Sequence, residues 1–266
     1  SKIERKTPHS VTVPGAVDAW VQMNRDHGSM DLGQLLATAI AYAEDGYPVT
    51  QRVATDFVAN VGVLDDDART VFTRDGGPIP LGARHSQPLL AATLRRIARD
   101  GRAGFYEGPV ADDILAKLQQ LGGTHTQDDF DAAIGDYVTP ISGVFRDHNI
   151  WECPPNGQGV IALMLLNIMS GTDRFGDHPI SADRMHHEIE AGRLAYRDRG
   201  AVLADPAFSD VPVAEMLSMG YADSLRSQIK PDGRIHPLPA STLPRHRSTV
   251  YITVVDRDRN ACSLIN

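Results

Sequence analysis

Ser248-Thr249-Val250-Tyr251-Ile252-Thr253-Val254-Val255-Asp256 is an apolar, β-branched run that begins directly after a stretch rich in Pro, Arg and His. The pattern predicts a strand from Thr249 to Val255, with a polar turn at Asp256-Arg257-Asp258-Arg259-Asn260 and a second strand from Ala261 to Ile265. Two readings of Thr249 follow. A Thr that opens a strand serves β-propensity in most proteins. A Thr exposed by cleavage of the bond before it carries its own base, because the freed α-amine can take the proton of its hydroxyl.

Outward from this junction the chain reads mostly helical. Apolar positions at helical spacing predict a helix from Ala16 that ends at Gly28, and a second capped by Asp31 and stopped by Gly46. Further helices are expected over Pro88 to Asp100, Pro109 to Leu121, Ser181 to Leu203 and Val213 to Ile229. Thr126 with Asp129 reads as a capping-box variant. Ile141 to Phe145 and Ile150 to Cys153 read as a hairpin around Arg146-Asp147-His148-Asn149. Lys230 to Ser248 lacks apolar periodicity and reads as an exposed linker.

Composition narrows the function classes. The 266 residues are 42% hydrophobic and 23% charged, which is ordinary for a soluble globular chain. A net charge of −8 argues against nucleic acid as the main partner, since a phosphate backbone requires a clustered basic surface. No apolar run is long enough to span a membrane. Ser1-Lys2-Ile3-Glu4-Arg5-Lys6 shows no apolar leader core, and any export signal would precede Ser1, so periplasmic, secreted and cytoplasmic locations stay open. Cys153 and Cys262 lie in no metal-ligand spacing and are expected to be small buried hydrophobes.

The other chemical candidates are weak. His186-His187-Glu188 with Glu190 lacks the i, i+4 histidine spacing of a helical zinc site, so a polar helix face is expected. Asn156-Gly157-Gln158-Gly159 lacks the third Gly and the Lys-Ser/Thr of a phosphate loop and reads as a helix-entry turn. Asp65-Asp66-Asp67 reads as a solvated turn. Asp183, Arg197, Asp198 and Arg199 are expected to pair on a surface. There is no G-x-S-x-G.

A series of segments carries more weight than any of these. Thr12-Val13-Pro14-Gly15-Ala16-Val17, the run Leu36 to Val49 with Gly46-Tyr47-Pro48-Val49, and Phe105-Tyr106-Glu107-Gly108 occur in order. Gly122-Gly123, Pro154-Pro155 with Gly157 and Gly159, Glu190-Ala191 through Asp198-Arg199, Asp205-Pro206-Ala207-Phe208 and finally Thr249 with Val254-Val255-Asp256 follow. In order and spacing this series resembles the gamma-glutamyltranspeptidase family over nearly the whole chain.

The resemblance implies an α+β chain with the N-terminal nucleophile hydrolase fold, an αββα sandwich. Residues 1–248 are expected to supply the mainly helical large-subunit portion, and residues 249–266 the start of the small subunit as a β-hairpin. It implies a precursor that cleaves its own Ser248-Thr249 bond, with Thr249 as the nucleophile, and two subunits from one chain. The implied substrate is a gamma-glutamyl or related small amide, with water or an amine as acceptor, and neither a metal nor an organic cofactor. The family begins its small subunit Thr-Thr-His-[Phe/Tyr], whereas this chain has Thr249-Val250-Tyr251-Ile252. That departure leaves room for the amidohydrolase and acylase members, and for a catalytically inactive helical homologue. The family's substrate-gripping Arg is expected before Ser1. Its remaining substrate-binding groups and oxyanion-hole glycines are expected after Asn266. The segment Ser1–Asn266 is therefore expected to be inactive by itself.

Overall fold

The computed structural model describes residues 7–172, 180–239, 251–259 and 261–265. The chain forms two compact units, Ser1–Asp136 and Tyr137–Asn266. In the first, helices α1 (Ala16–His27) and α2 (Leu32–Asp45) precede strand β1 (Tyr47–Pro48). Helices α3 (Gln51–Asn60) and α4 (Asp66–Phe72) lead into the short strands β2 (Thr73–Arg74), β3 (Gly77–Pro78) and β4 (Arg84–His85). Helices α5 (Pro88–Asp100), α6 (Ala103–Tyr106), α7 (Pro109–Gln120) and α8 (Gln127–Ala132) complete the unit.

In the second unit a hairpin of β5 (Ile141–Phe145) and β6 (His148–Glu152) precedes α9 (Gly159–Ser170) and α10 (Ala182–Val202). Helices α11 (Val213–Met216) and α12 (Met219–Arg226) follow, and then the hairpin of β7 (Tyr251–Val255) and β8 (Ala261–Ile265). The described strands form four antiparallel pairs, β1-β4, β2-β3, β5-β6 and β7-β8. The chain is thus α+β and mainly helical, with a β-hairpin at its end.

Local signals set most helix ends. Asp31 accepts from the Gln34 N–H at 2.9 Å, and the Gln34 side chain returns to the Asp31 N–H, closing a capping box at α2. Gly46 ends α2 at φ 83°, and a Cβ there would stand 2.9 Å from the His85 carbonyl oxygen, so only glycine fits between α2 and β4. The Thr126–Asp129 box caps α8 as the sequence predicts. The helix-entry turn is also as predicted: the Gly157 N–H donates to the Pro154 carbonyl and α9 starts at Gly159.

Each unit has its own core. Val17, Leu94, Ile97, Tyr106, Leu115 and Phe130 bury together in the first. In the second, α9 presents Val160, Met164 and Ile168 to Leu194 of α10 and Leu225 of α12. Leu163 is also buried, so α9 is apolar around most of its surface, which explains why its periodicity is faint.

Several expectations need correction. The predicted Val213–Ile229 helix is two helices, because the Ser218 hydroxyl caps α12 by accepting from the Tyr221 N–H at 3.2 Å. The predicted four-residue turn of the first hairpin is two residues long. Arg146 and Asp147 both take positive φ, 47° and 62°, and Phe145 pairs with His148. Asp65 is no solvated turn; it caps α4, with Asp66 and Asp67 in the first turn, where carboxylates offset the exposed N–H groups. Cys153 is exposed, since its strand ends before it in the turn toward Pro154-Pro155.

Candidate functional site

Ser248 and Thr249 lie outside the described residues. What the structure places is the chain on either side of them. Downstream, β7 begins at Tyr251 and pairs with β8 in the register Tyr251↔Ile265 through Val255↔Ala261. The second hairpin therefore forms over its described residues, and Thr249 and Val250, where its first strand is expected to start, lie outside them.

Upstream, the segment read as an exposed linker is anchored. Lys230 bridges to Gly233, and Ile235 and Leu238 pack against the core of the second unit. Helix α10 holds its backbone. The Glu190 carboxylate accepts from the Ile235 N–H at 3.1 Å, and the Arg193 guanidinium donates to the Ile235 carbonyl at 2.9 Å. Arg193 also donates to both Glu190 oxygens, at 2.6 and 2.8 Å. The His186 ring nitrogen Nε2 meets the Lys230 carbonyl at 2.7 Å and so carries the proton there. These contacts correct the linker reading for residues 230–239. The cause is a pair of polar side chains that satisfy a main-chain N–H and C=O outside any sheet.

The charges of α10 are not all on a surface either. His187, Glu190, Asp198 and Arg199 are buried. Arg197 forks onto Asp198 at 2.8 and 3.1 Å, and the Tyr221 hydroxyl donates to the same carboxylate at 2.8 Å. Burial first, and the bond to Asp198 second, push the Tyr221 phenol up to about 12. A phenol that stays protonated at neutral pH cannot serve as a base. The cluster therefore acts as a brace between α10 and α12.

The first unit has a comparable knot. Asp18 accepts from Arg102 at 3.0 Å, Gln22 at 2.6 Å and the Gly135 N–H at 2.7 Å. Arg102 donates onward to the carbonyls of Phe130, Asp131 and Ala133 and stacks over the Tyr106 ring, 4.5 Å from its centroid. Arg102 also lines an open cleft of about 510 Å³ with Glu107, Asp112, Gln127 and Asp131. Its guanidinium is already engaged, so the cleft offers no free cation to an anionic ligand. Elsewhere His85 is buried among the rings of Tyr47, Phe57 and Phe72. Burial, and then the charge of Arg74, lower its pKa below the usual histidine value.

Sequence reasoning singled out His186, Glu190, Arg197, Asp198 and Arg199 but missed their partners Arg193, Tyr221 and Ile235. It also missed Asp18, whose signal was a carboxylate among the apolar residues Val17, Trp20 and Val21. Among the described residues no cluster of three or more His, Cys, Asp or Glu is arranged to hold a metal ion, and no helix is long and apolar enough to cross a membrane.

The fold defines a mainly helical α+β chain whose last described hairpin starts at Tyr251. The family model described as gamma-glutamyltranspeptidase matches residues 1–266, and the chain belongs to that family. It is 37% identical over 259 residues to the glutathione hydrolase-like YwrD proenzyme of Bacillus subtilis (strain 168), covering 96% of this chain and 48% of that protein. It is 32% identical over 264 residues to the glutathione hydrolase proenzyme of Escherichia coli (strain K12), covering 94% and 45%. The crystal structure of cephalosporin acylase from Bacillus halodurans matches with a TM-score of 0.85 at 35% identity, over 95% of this chain and 47% of that one. The chain spans about half the length of the curated relatives it matches. The chain therefore supplies a mainly helical part of the implied N-terminal nucleophile hydrolase fold.

Proposed function

We propose that this chain is part of a self-processing Thr hydrolase or transferase that cleaves gamma-glutamyl or related amides through an acyl-Thr249 intermediate. The observation that carries the reading is the family match over residues 1–266, which includes Thr249. The names of two relatives, both glutathione hydrolase proenzymes or like them, support the substrate class and the precursor state.

The chemistry follows from one residue. In maturation the Thr249 hydroxyl oxygen attacks the Ser248 carbonyl carbon and gives up its proton. The Ser248–Thr249 C–N bond breaks, the nitrogen takes a proton, and an ester joins Ser248 to Thr249. Water then adds to the ester, leaving a carboxyl on Ser248 and a free α-amine and hydroxyl on Thr249. In turnover that amine takes the proton of the hydroxyl as its oxygen attacks the substrate amide carbon; the amide C–N bond breaks, the leaving amine takes the proton, and water or an acceptor amine then releases the acyl group from Thr249. Backbone N–H donors that stabilise the developing oxyanion supply much of the rate.

A second reading keeps the fold and changes the acyl group to that of a non-glutamyl small amide. It is favoured by Thr249-Val250-Tyr251-Ile252, which departs from the family's Thr-Thr-His-[Phe/Tyr], and by the likeness to a cephalosporin acylase. One experiment tests both. Intact mass of the complete protein under denaturing conditions should show two fragments that meet at Ser248 and Thr249, and Thr249→Ala should abolish them. A single uncleaved species from the unaltered protein would defeat the reading. Assay of the processed enzyme against gamma-glutamyl anilides and simple acyl amides then separates the two substrate classes.

A further inference from the structure

We infer that one stripe of α10, His186, Glu190 and Arg193, is a positioning device that holds the segment leading to the scissile bond during self-processing. The inference rests on the processing reading above. These three residues stand at i, i+4 and i+7, within about 60° of one another around a helix of 3.6 residues per turn. They meet consecutive parts of one segment: the Lys230 carbonyl, the Ile235 N–H and the Ile235 carbonyl. Each contact is to main chain, so the stripe offers the segment what a neighbouring strand would.

The grip is anchored on both sides. Glu190 is 2% exposed, and the residues next to it on α10, Ala191 and Leu194, are fully buried in the core. Ile235 is itself packed on that core through its side chain. Hydrophobic contact fixes where Ile235 sits, and the carboxylate–guanidinium pair fixes which way its peptide groups face. The chain then leaves Ile235 from a set point and in a set direction. None of the three side chains acts on the reacting atoms; they act through the backbone that leads to the Ser248–Thr249 peptide.

Without the grip, the Ile235 peptide groups lose the two contacts that fix which way they face, while the side chain keeps its place on the core. After cleavage the tether has no further task, so turnover by the mature enzyme should not depend on it.

The test uses the complete precursor, made unaltered and as Glu190→Gln, Arg193→Met and the double variant. Glu190→Gln keeps the shape of the buried side chain. Arg193→Met keeps the apolar stem and removes the donor to Ile235. The half-time of precursor conversion, the thermal midpoint of Thr249→Ala-blocked precursors, and kcat and KM of the processed enzyme are read side by side. The expected result is conversion slowed twofold or more, most in the double variant, with kcat and KM unchanged once processing is complete. Conversion at the unaltered rate in the double variant would overturn the inference, as would a parallel fall in kcat, which would mark a general structural role. If the unaltered precursor never converts, the underlying processing reading fails instead.

Discussion

Asp18 and Glu190 are both buried carboxylates paired with an arginine on the edge of a helical core, yet they hold different things. Asp18 collects groups from far along the chain, Arg102 and the Gly135 N–H, and Arg102 extends the tie to three carbonyls around α8. Removing it would loosen the whole first unit. Glu190 pairs with Arg193 one turn away on its own helix and reaches out to one peptide of one segment. The same chemical pair thus serves a unit's stability in one place and the course of a single strand of chain in the other. What distinguishes them is the number of separate segments that converge on the carboxylate, not its burial.

That contrast can be broken by experiment. The largest effect is expected from Asp18→Ala, which leaves Arg102 and the Gly135 N–H without their acceptor. Deleting one partner of a buried pair costs about 3–5 kcal/mol. Chemical denaturation should show that loss; an unchanged midpoint would mean the knot is not what holds the first unit together.

A smaller effect is expected in the second unit from Tyr221→Phe, which removes the donor to Asp198. A hydrogen bond to a charged group is worth about 1.5–3 kcal/mol. This substitution should also change the alkaline limb. The folded phenol titrates at about 12, above its unfolded value, so its contribution is complete below about pH 10 and is lost as pH rises through the folded value. Tyr221→Phe should flatten the stability profile across that window. A profile as steep as that of the unaltered protein would remove Asp198–Tyr221 as the cause.

The smallest effect belongs to His85, and it appears only in acid. Its folded pKa is lowered, so its contribution is complete above the unfolded value of about 6.5 and is lost as pH falls toward the folded one. Below about pH 6 the first unit should therefore lose stability in a way that His85→Phe suppresses, with little change at neutral pH. Equal acid sensitivity in both proteins would place the titration elsewhere.

The same contrast between local and distant partners explains what was legible in the sequence. The ends of α1, α2, α5, α7 and α10 could be read because their signals sit beside them: Asp31 and Gly46, Pro88 and Gly101, Gly122-Gly123, Ser181. Helix α4 was hidden because three adjacent aspartates look like a turn until the first is seen as a cap. Helix α3 is short and buries little beyond Ala54. At the candidate site, Thr249 is proposed on chemistry and resemblance together and lies outside the described residues. Glu190 was visible as a candidate but its partner Arg193 was not, and Ile235 lies 45 residues from Glu190 and carries no signal for a contact made through its backbone.

Helix α10 is an uninterrupted 21-residue rod, about 31 Å long at 1.5 Å per residue. Its core-facing side and its segment-holding side are cut from the same cylinder, so their phases are locked. Inserting or deleting one residue between His186 and Ala191 would rotate everything beyond it by about 100°. Either the alanine and leucine side or the gripping side would then face the wrong neighbour. The helix is in this sense a ruler that forbids small changes in its own length, and variation in spacing must be absorbed in the loop that follows it, around Asp205-Pro206.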